Sequence, residues 1–180
     1  MPLDDKVAAA RRIESLLKNV IHEGGLKLKY RIAIDPPIAD ARDWERPEIA
    51  VDLAGPDSPL LLERGAELLR SLEYLALEML HLRPDEHDRV VFDSMGYRAS
   101  RLEELKMAAQ VAADKVRDNQ MPYAFAPMSS RERRIVHLAL RDESDLRTES
   151  AGEATLRHVV VYPKDYKGKA PSAPRFGRRR

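Results

Sequence analysis

The chain has no cysteine, few aromatic residues and no long apolar run, and each absence closes a class of function. Without cysteine there are no disulfides, no thiolate metal sites and no cysteine nucleophile. Aromatics make up only 6% of the 180 residues, beside 43% hydrophobic and 34% charged, the balance of a charge-coated globular protein. No apolar stretch approaches the roughly 20 residues that a bilayer requires, so no membrane insertion is expected. The amino terminus, MPLDDKVAAARR, is acidic before it is basic and lacks the apolar core of a secretory signal, which predicts a cytoplasmic protein. Enzyme signatures are missing too. There is no nucleophile elbow, no phosphate-cradling glycine loop with a lysine, and no histidine pair at ligand spacing among His22, His81, His87, His137 and His158. Carboxylates sit among basic residues on apparent helix surfaces, the pattern of a solvated face. No enzyme activity, metal or cofactor is expected.

The formal net charge of +1 is unevenly placed. Residues 164–180 carry seven Lys/Arg against the single acid Asp165, a net +6, which leaves −5 for residues 1–163, all of it within residues 1–120. The tail PKDYKGKAPSAPRFGRRR has no apolar periodicity and is expected to be disordered, serving either as an electrostatic arm toward polyanions or as a solubilising end.

Residues 6–22 place Val7, Ala10, Ile13, Leu16, Leu17, Val20 and Ile21 at helical spacing, closed by Gly24 and Gly25. Residues 27–34 alternate, predicting a strand with Leu28, Tyr30, Ile32 and Ile34 inward and Lys27, Lys29 and Arg31 outward. A polar loop through Trp44 follows, then a strand over Glu48 to Leu53 and a loop over Gly55 to Pro59. A long helix with Leu68, Leu69, Leu72, Leu75, Ala76, Met79 and Leu80 on its core face comes next, and then a short strand over Arg89 to Asp93. Beyond a junction at Met95-Gly96, a helix over Arg98 to Asp118 buries Leu102, Leu105, Ala109, Ala112 and Val116. A helix opened by Ser129 and Glu132 runs to about Leu140, followed by strands over Leu146 to Ser150 and Thr155 to Tyr162. The fold class is α+β, as two small tandem units, each a small sheet packed by helices.

Arg133 and His137 stand four apart and so share a helix face. Together they suit a phosphate: arginine offers a permanently charged fork, and histidine a donor or a ring on which an unpaired base stacks. Such a pair alone also fits two solvated side chains, and its surroundings decide between the readings.

Those surroundings resemble the bacterial Jag family, also called SpoIIIJ-associated proteins. The similarity runs over Pro127-Met128-Ser129-Ser130-x-Glu132-Arg133-Arg134-Ile135-Val136-His137, then Thr148-Glu149-Ser150-x-Gly152-Glu153 and Arg157-x-Val159-Val160, with Tyr97-Arg98-x-x-Arg101 and Leu72-Glu73-Tyr74-Leu75 upstream. The resemblance implies a type II KH domain over residues 1–95, an R-three-H domain, named for its Arg-x-x-x-His pair, over 96–163, and the basic tail over 164–180. It also implies cytoplasmic RNA binding, a part in RNA metabolism linked to cell elongation and division, and a small single-KH protein as partner.

Two departures from the family pattern stand out. The loop that in a KH domain reads Gly-x-x-Gly is here Glu63-Arg64-Gly65-Ala66, with a carboxylate where phosphate would come and Ala66 at the second glycine. A degenerate KH-like unit is therefore expected, although Arg64, Lys27, Lys29 and Arg31 argue for retained binding. Many family members also carry a further amino-terminal domain, which this chain is expected to lack. The leading expectation is a non-catalytic protein that binds single-stranded RNA through Arg133 and His137. Arg134 and Arg157 would extend that surface if the last strand lies beside the helix, with Arg131 at its rim. Single-stranded DNA stays open, because this pair does not by itself read a 2′-hydroxyl. The alternative is a protein-interaction scaffold with vestigial RNA binding. Truncating Arg133 or His137 is expected to spare the core, because the apolar Ile135, Leu138 and Ala139 of the same helix point in other directions. His137 is expected to add a second donor below about pH 6.5.

Overall fold

The computed structural model describes residues 3, 5–37, 47–168 and 171. Most of the loop expected through Trp44, and the basic tail beyond Gly168 apart from Pro171, lie outside them. The chain divides into two compact units, Met1–Arg98 and Ala99–Arg180, and both are small α+β bodies, as the periodicities predict. Among the described residues no helix is long and apolar enough to cross a membrane.

In the first unit, α1 (Lys6–Glu23) starts where the Asp5 carboxylate accepts the Ala8 N–H at 2.9 Å. It stops where Gly25, at φ +60°, lets the Leu26 N–H return to the Ile21 carbonyl and its own N–H to His22. The helix buries Ala9, Ile13 and Leu17, so the predicted stripe is rotated at its start: Val7 is 52% exposed. Strands β1 (Lys29–Ile34), β2 (Ile49–Ala54) and β3 (Val90–Ser94) form one sheet in that order, β1–β2 antiparallel and β2–β3 parallel. Ile49, Val51 and Leu53 are buried as their alternation predicts, but β1 is an edge strand and Ile34 at its end is exposed.

The segment expected as a loop through Pro59 is already helical from Ser58, because Pro59 in the first turn gives up an N–H that has no intrahelical partner. Helix α2 (Ser58–Met79) is broken inside: Glu63 is extended, and Arg64, Gly65 and Ala66 all adopt positive φ (51°, 71° and 61°) before the helix resumes. Its second half buries Leu69, Leu72, Ala76 and Leu77, while Leu68 and Leu75, expected in the core, are exposed. A 3₁₀ turn over Pro84–Arg89 leads into β3. The core of this unit joins those helices to the inner face of the sheet, with Phe92 its largest fully buried side chain.

The second unit contains α3 (Tyr97–Asn119, which begins at the unit boundary), β4 (Tyr123–Ala124), α4 (Ser130–Ala139), β5 (Leu146–Ala151) and β6 (His158–Pro163). Its sheet runs β4-β6-β5, antiparallel throughout. The central strand β6 is buried over Val159, Val160, Val161 and Tyr162, a continuous apolar run in place of an alternation. It begins at His158 and not at Thr155, because Ala154–Leu156 forms a 3₁₀ turn. Gly152 makes that turn possible: it sits at φ +82°, and a Cβ there would lie 2.6 Å from the Leu156 carbonyl oxygen. Helix α3 buries Leu105, Ala109, Ala112, Ala113 and Val116. Helix α4, which packs on β5 and β6, buries Ile135 and Val136, whereas Leu138 and Ala139 face outward. Residues 164–166, expected in the tail, are held by the sheet: the Lys164 N–H donates to the Asp145 carbonyl at 2.9 Å, and the Tyr166 ring lies 6.0 Å from that of Tyr162.

Candidate nucleic-acid interface

The start of α4 sets the position of everything on it. Ser129 is extended (φ −62°, ψ 163°), its hydroxyl accepts the Glu132 N–H, and the Glu132 carboxylate accepts the Ser129 N–H at 2.9 Å, closing the reciprocal cap that the sequence predicts. Glu132 also accepts Arg101 Nε from α3 at 2.8 Å. Burial alone would raise the Glu132 carboxyl, but the Ser129 N–H and the Arg101 guanidinium outweigh it, and the group stands below its ordinary value. The first turn is thereby pinned at both its backbone and its side chains.

One turn on, Arg133 and His137 face β5 together. Alternate residues of that strand, Thr148 and Ser150, point the same way. His137 Nδ1 lies 2.7 Å from Thr148 Oγ1 and Nε2 lies 3.0 Å from Ser150 Oγ. Arg133 Nη1 donates to the same Ser150 oxygen at 3.2 Å. Arg133 Nε is buried and has no hydrogen-bond partner among the described residues. Burial and the neighbouring charge of Arg157 both lower the Arg133 pKa; burial and the Arg133 charge lower that of His137. Both effects favour the uncharged ring.

The Met128 N–H donates to the Arg157 carbonyl at 3.1 Å, which sets Arg157 beside the approach to α4. The structure thus brings together Arg133, His137 and Arg157. Arg134 is exposed on the helix and Arg131 half-buried in its first turn. The strand's opposite face is occupied: Arg147 pairs with Glu149 and stacks 4.2 Å from the centre of the Tyr162 ring. Among the described residues no group of three or more His, Asp or Glu side chains is placed to hold a metal.

Sequence reasoning left Thr148 and Ser150 out of the site, although their i, i+2 spacing on a strand was the signal. The expectation for His137 needs correcting. Both ring nitrogens are committed to side chains of β5, so truncation removes a tie between helix and strand, and its depressed pKa moves protonation below pH 6.5. In the first unit, Glu63, Arg64, Gly65 and Ala66 do form a loop between two helical halves. Glu63, Arg64 and Gly65 are exposed, Ala66 is buried, and a Cβ on Gly65 would meet nothing within 4 Å.

Residues 103–163 match the R-three-H domain family. The RNA-binding protein KhpB of Clostridium symbiosum is 34% identical over 114 residues, covering 63% of this chain and 51% of its own. KhpB of Bacillus subtilis (strain 168) is 32% identical over 114 residues, 62% of this chain and 55% of its own, and KhpB of Streptococcus pneumoniae serotype 2 is 26% identical over 121 residues. The chain spans about half the length of the first two of these curated relatives. The Arg-x-x-x-His helix seated on its sheet lies inside the span that matches the R-three-H domain family, and the likeness to the first two of these relatives, over 114 residues, extends beyond that span.

Proposed function

We propose that this chain binds single-stranded RNA without catalysis, through a basic surface centred on Arg133 at the α4–β5 face. The observation that carries the reading is the Arg133 guanidinium itself. It donates to Ser150, its Nε–H has no partner among the described residues, and Arg157 lies close enough to repel it. Two like charges held together with donors to spare are the arrangement that a phosphodiester relieves. Relatives named RNA-binding proteins support the choice of ligand. Arg157 and Arg134 extend the surface and Arg131 serves its rim, while the basic residues beyond Lys164 add charge. The first unit has the element order helix, strand, strand, two helical halves, strand, which suits a type II KH-like domain over residues 1–95, with the R-three-H domain over 96–163. Its exposed Glu63 disfavours phosphate at the loop, so that unit contributes little to binding and is free to dock a partner such as a small single-KH protein. The setting is bacterial cytoplasmic RNA metabolism linked to cell elongation and division.

The test is Arg133→Ala in the full chain, measured with a single-stranded oligouridylate and its DNA counterpart. Loss of a charge-assisted phosphate contact costs about 1.5–3 kcal/mol, roughly ten- to a hundredfold in affinity. It also flattens the plot of log affinity against log salt by about 0.7. The melting temperature should hold, because the side chain removed is strained by burial and by Arg157. Unchanged RNA affinity in the folded variant would sink this reading and leave the scaffold in its place.

A further inference from the structure

We propose that the Arg-x-x-x-His pair divides its work: Arg133 is the nucleic-acid ligand, and His137 is a positioning residue that, with Thr148 and Ser150, holds Arg133 in place without touching the RNA. The proposal rests on the RNA-binding reading above.

A neutral imidazole has one nitrogen that donates and one that accepts. Both are within hydrogen-bond distance of β5 hydroxyls, at 2.7 Å and 3.0 Å, so no N–H remains to offer a phosphate. The direction of the chain of bonds follows from Arg133, which can only donate. Ser150 Oγ accepts from Arg133 Nη1 at 3.2 Å and has its own hydrogen left to give to His137 Nε2. Nδ1 then carries the ring proton and donates to Thr148 Oγ1. In the reverse order Ser150 accepts twice and its hydrogen lacks a role in the cluster. The charged ring fits worse still, since it would turn a second donor toward an oxygen that already accepts from a guanidinium. Among the described residues the charge that lowers the ring's pKa is Arg133 on its own helix; β5 presents the uncharged Thr148 and Ser150, and Arg157 acts on Arg133 from the segment before β6. The lowered pKa of His137 agrees with this arrangement. Arg133, in contrast, spends one of its five N–H groups on Ser150, and its buried Nε–H has no partner among the described residues.

The experiment uses ¹⁵N-labelled full-length chain, the His137 ring nitrogens followed by NMR through a pH titration with and without saturating oligouridylate. The expected result is an Nδ1–H ring at neutral pH whose pKa does not move when RNA binds. A pKa that rises by about a unit or more on binding would overturn the proposal, because it would place the ring against phosphate. In parallel, Ser150→Ala should weaken binding about three- to tenfold with the salt slope kept, Ser150→Thr should restore it, and Ser150→Ala should add nothing to Arg133→Ala. Wild-type affinity for Ser150→Ala, while Arg133→Ala still binds roughly ten- to a hundredfold more weakly, overturns the positioning role alone. Wild-type affinity for Arg133→Ala as well overturns the RNA-binding reading, and this proposal with it.

Discussion

Replacing Glu132 tests whether the nucleic-acid face depends on the way α4 begins. Its carboxylate is only 14% exposed and does two jobs, accepting the Ser129 N–H at 2.9 Å and Arg101 Nε at 2.8 Å. Removing the capping half costs about 1 kcal/mol. Removing the ion pair costs about 1–2 kcal/mol, more than a surface pair and less than a fully buried one, because Arg101 is 30% exposed and keeps Glu104 at 2.8 Å. Glu132→Ala should therefore lose about 2–3 kcal/mol. For a unit of this size that lowers the melting temperature by about 10–20 °C. Glu132→Gln keeps an acceptor for the Ser129 N–H and should lose about half as much. The folded carboxyl stands below its ordinary value of 4.5, so its contribution is present above that pH and disappears as the pH falls through the folded value. The gap between wild type and Glu132→Ala should accordingly close in acid. Thermal unfolding followed by far-UV circular dichroism, at neutral pH and near pH 4, measures all three effects. A Glu132→Ala chain within about 0.5 kcal/mol of wild type would refute the reasoning, since surface substitutions fall in that range.

Two further outcomes follow from the same geometry. Because burial and Arg133 depress His137 below its ordinary 6.5, the unfolded chain takes up its proton first; stability should be full above that pH, fall as the pH drops below it, and lose that dependence in His137→Asn, as melting temperatures across the range would report. In the first unit, Glu63→Gly with Ala66→Gly removes an exposed carboxylate and relaxes a non-glycine residue at φ +61°, so a folded double variant should bind single-stranded RNA more tightly, by up to about 1–3 kcal/mol, and equal affinity would show that the loop does not meet RNA.

Much of the architecture was legible because it is local. The helix boundaries at Gly25 and Ser129 follow from caps whose donors and acceptors lie within a few residues. Other features depended on neighbours that no local pattern names. Periodicity marks Val7, Leu68, Leu75 and Leu138 as apolar at helical spacing, but burial also needs something to lie opposite, and all four are exposed. The break at Arg64–Ala66 runs against the helical preference of Arg and Ala, and only the likeness to a KH loop pointed to it. β4, with two residues, is too short to show an alternation.

The site divides along the same line. That Arg133 and His137 share a face is a property of one helix and could be counted from the sequence. What His137 does there is decided by β5, whose register against β6 sets Thr148 opposite Val161 and Ser150 opposite Val159 and so turns both hydroxyls toward α4. A histidine four residues after an arginine is equally compatible with a ligand and with a tie, because the spacing says nothing of what the ring nitrogens meet. Here they meet two hydroxyls, one of them shared with the arginine, and it is that shared oxygen that makes the pair a single unit.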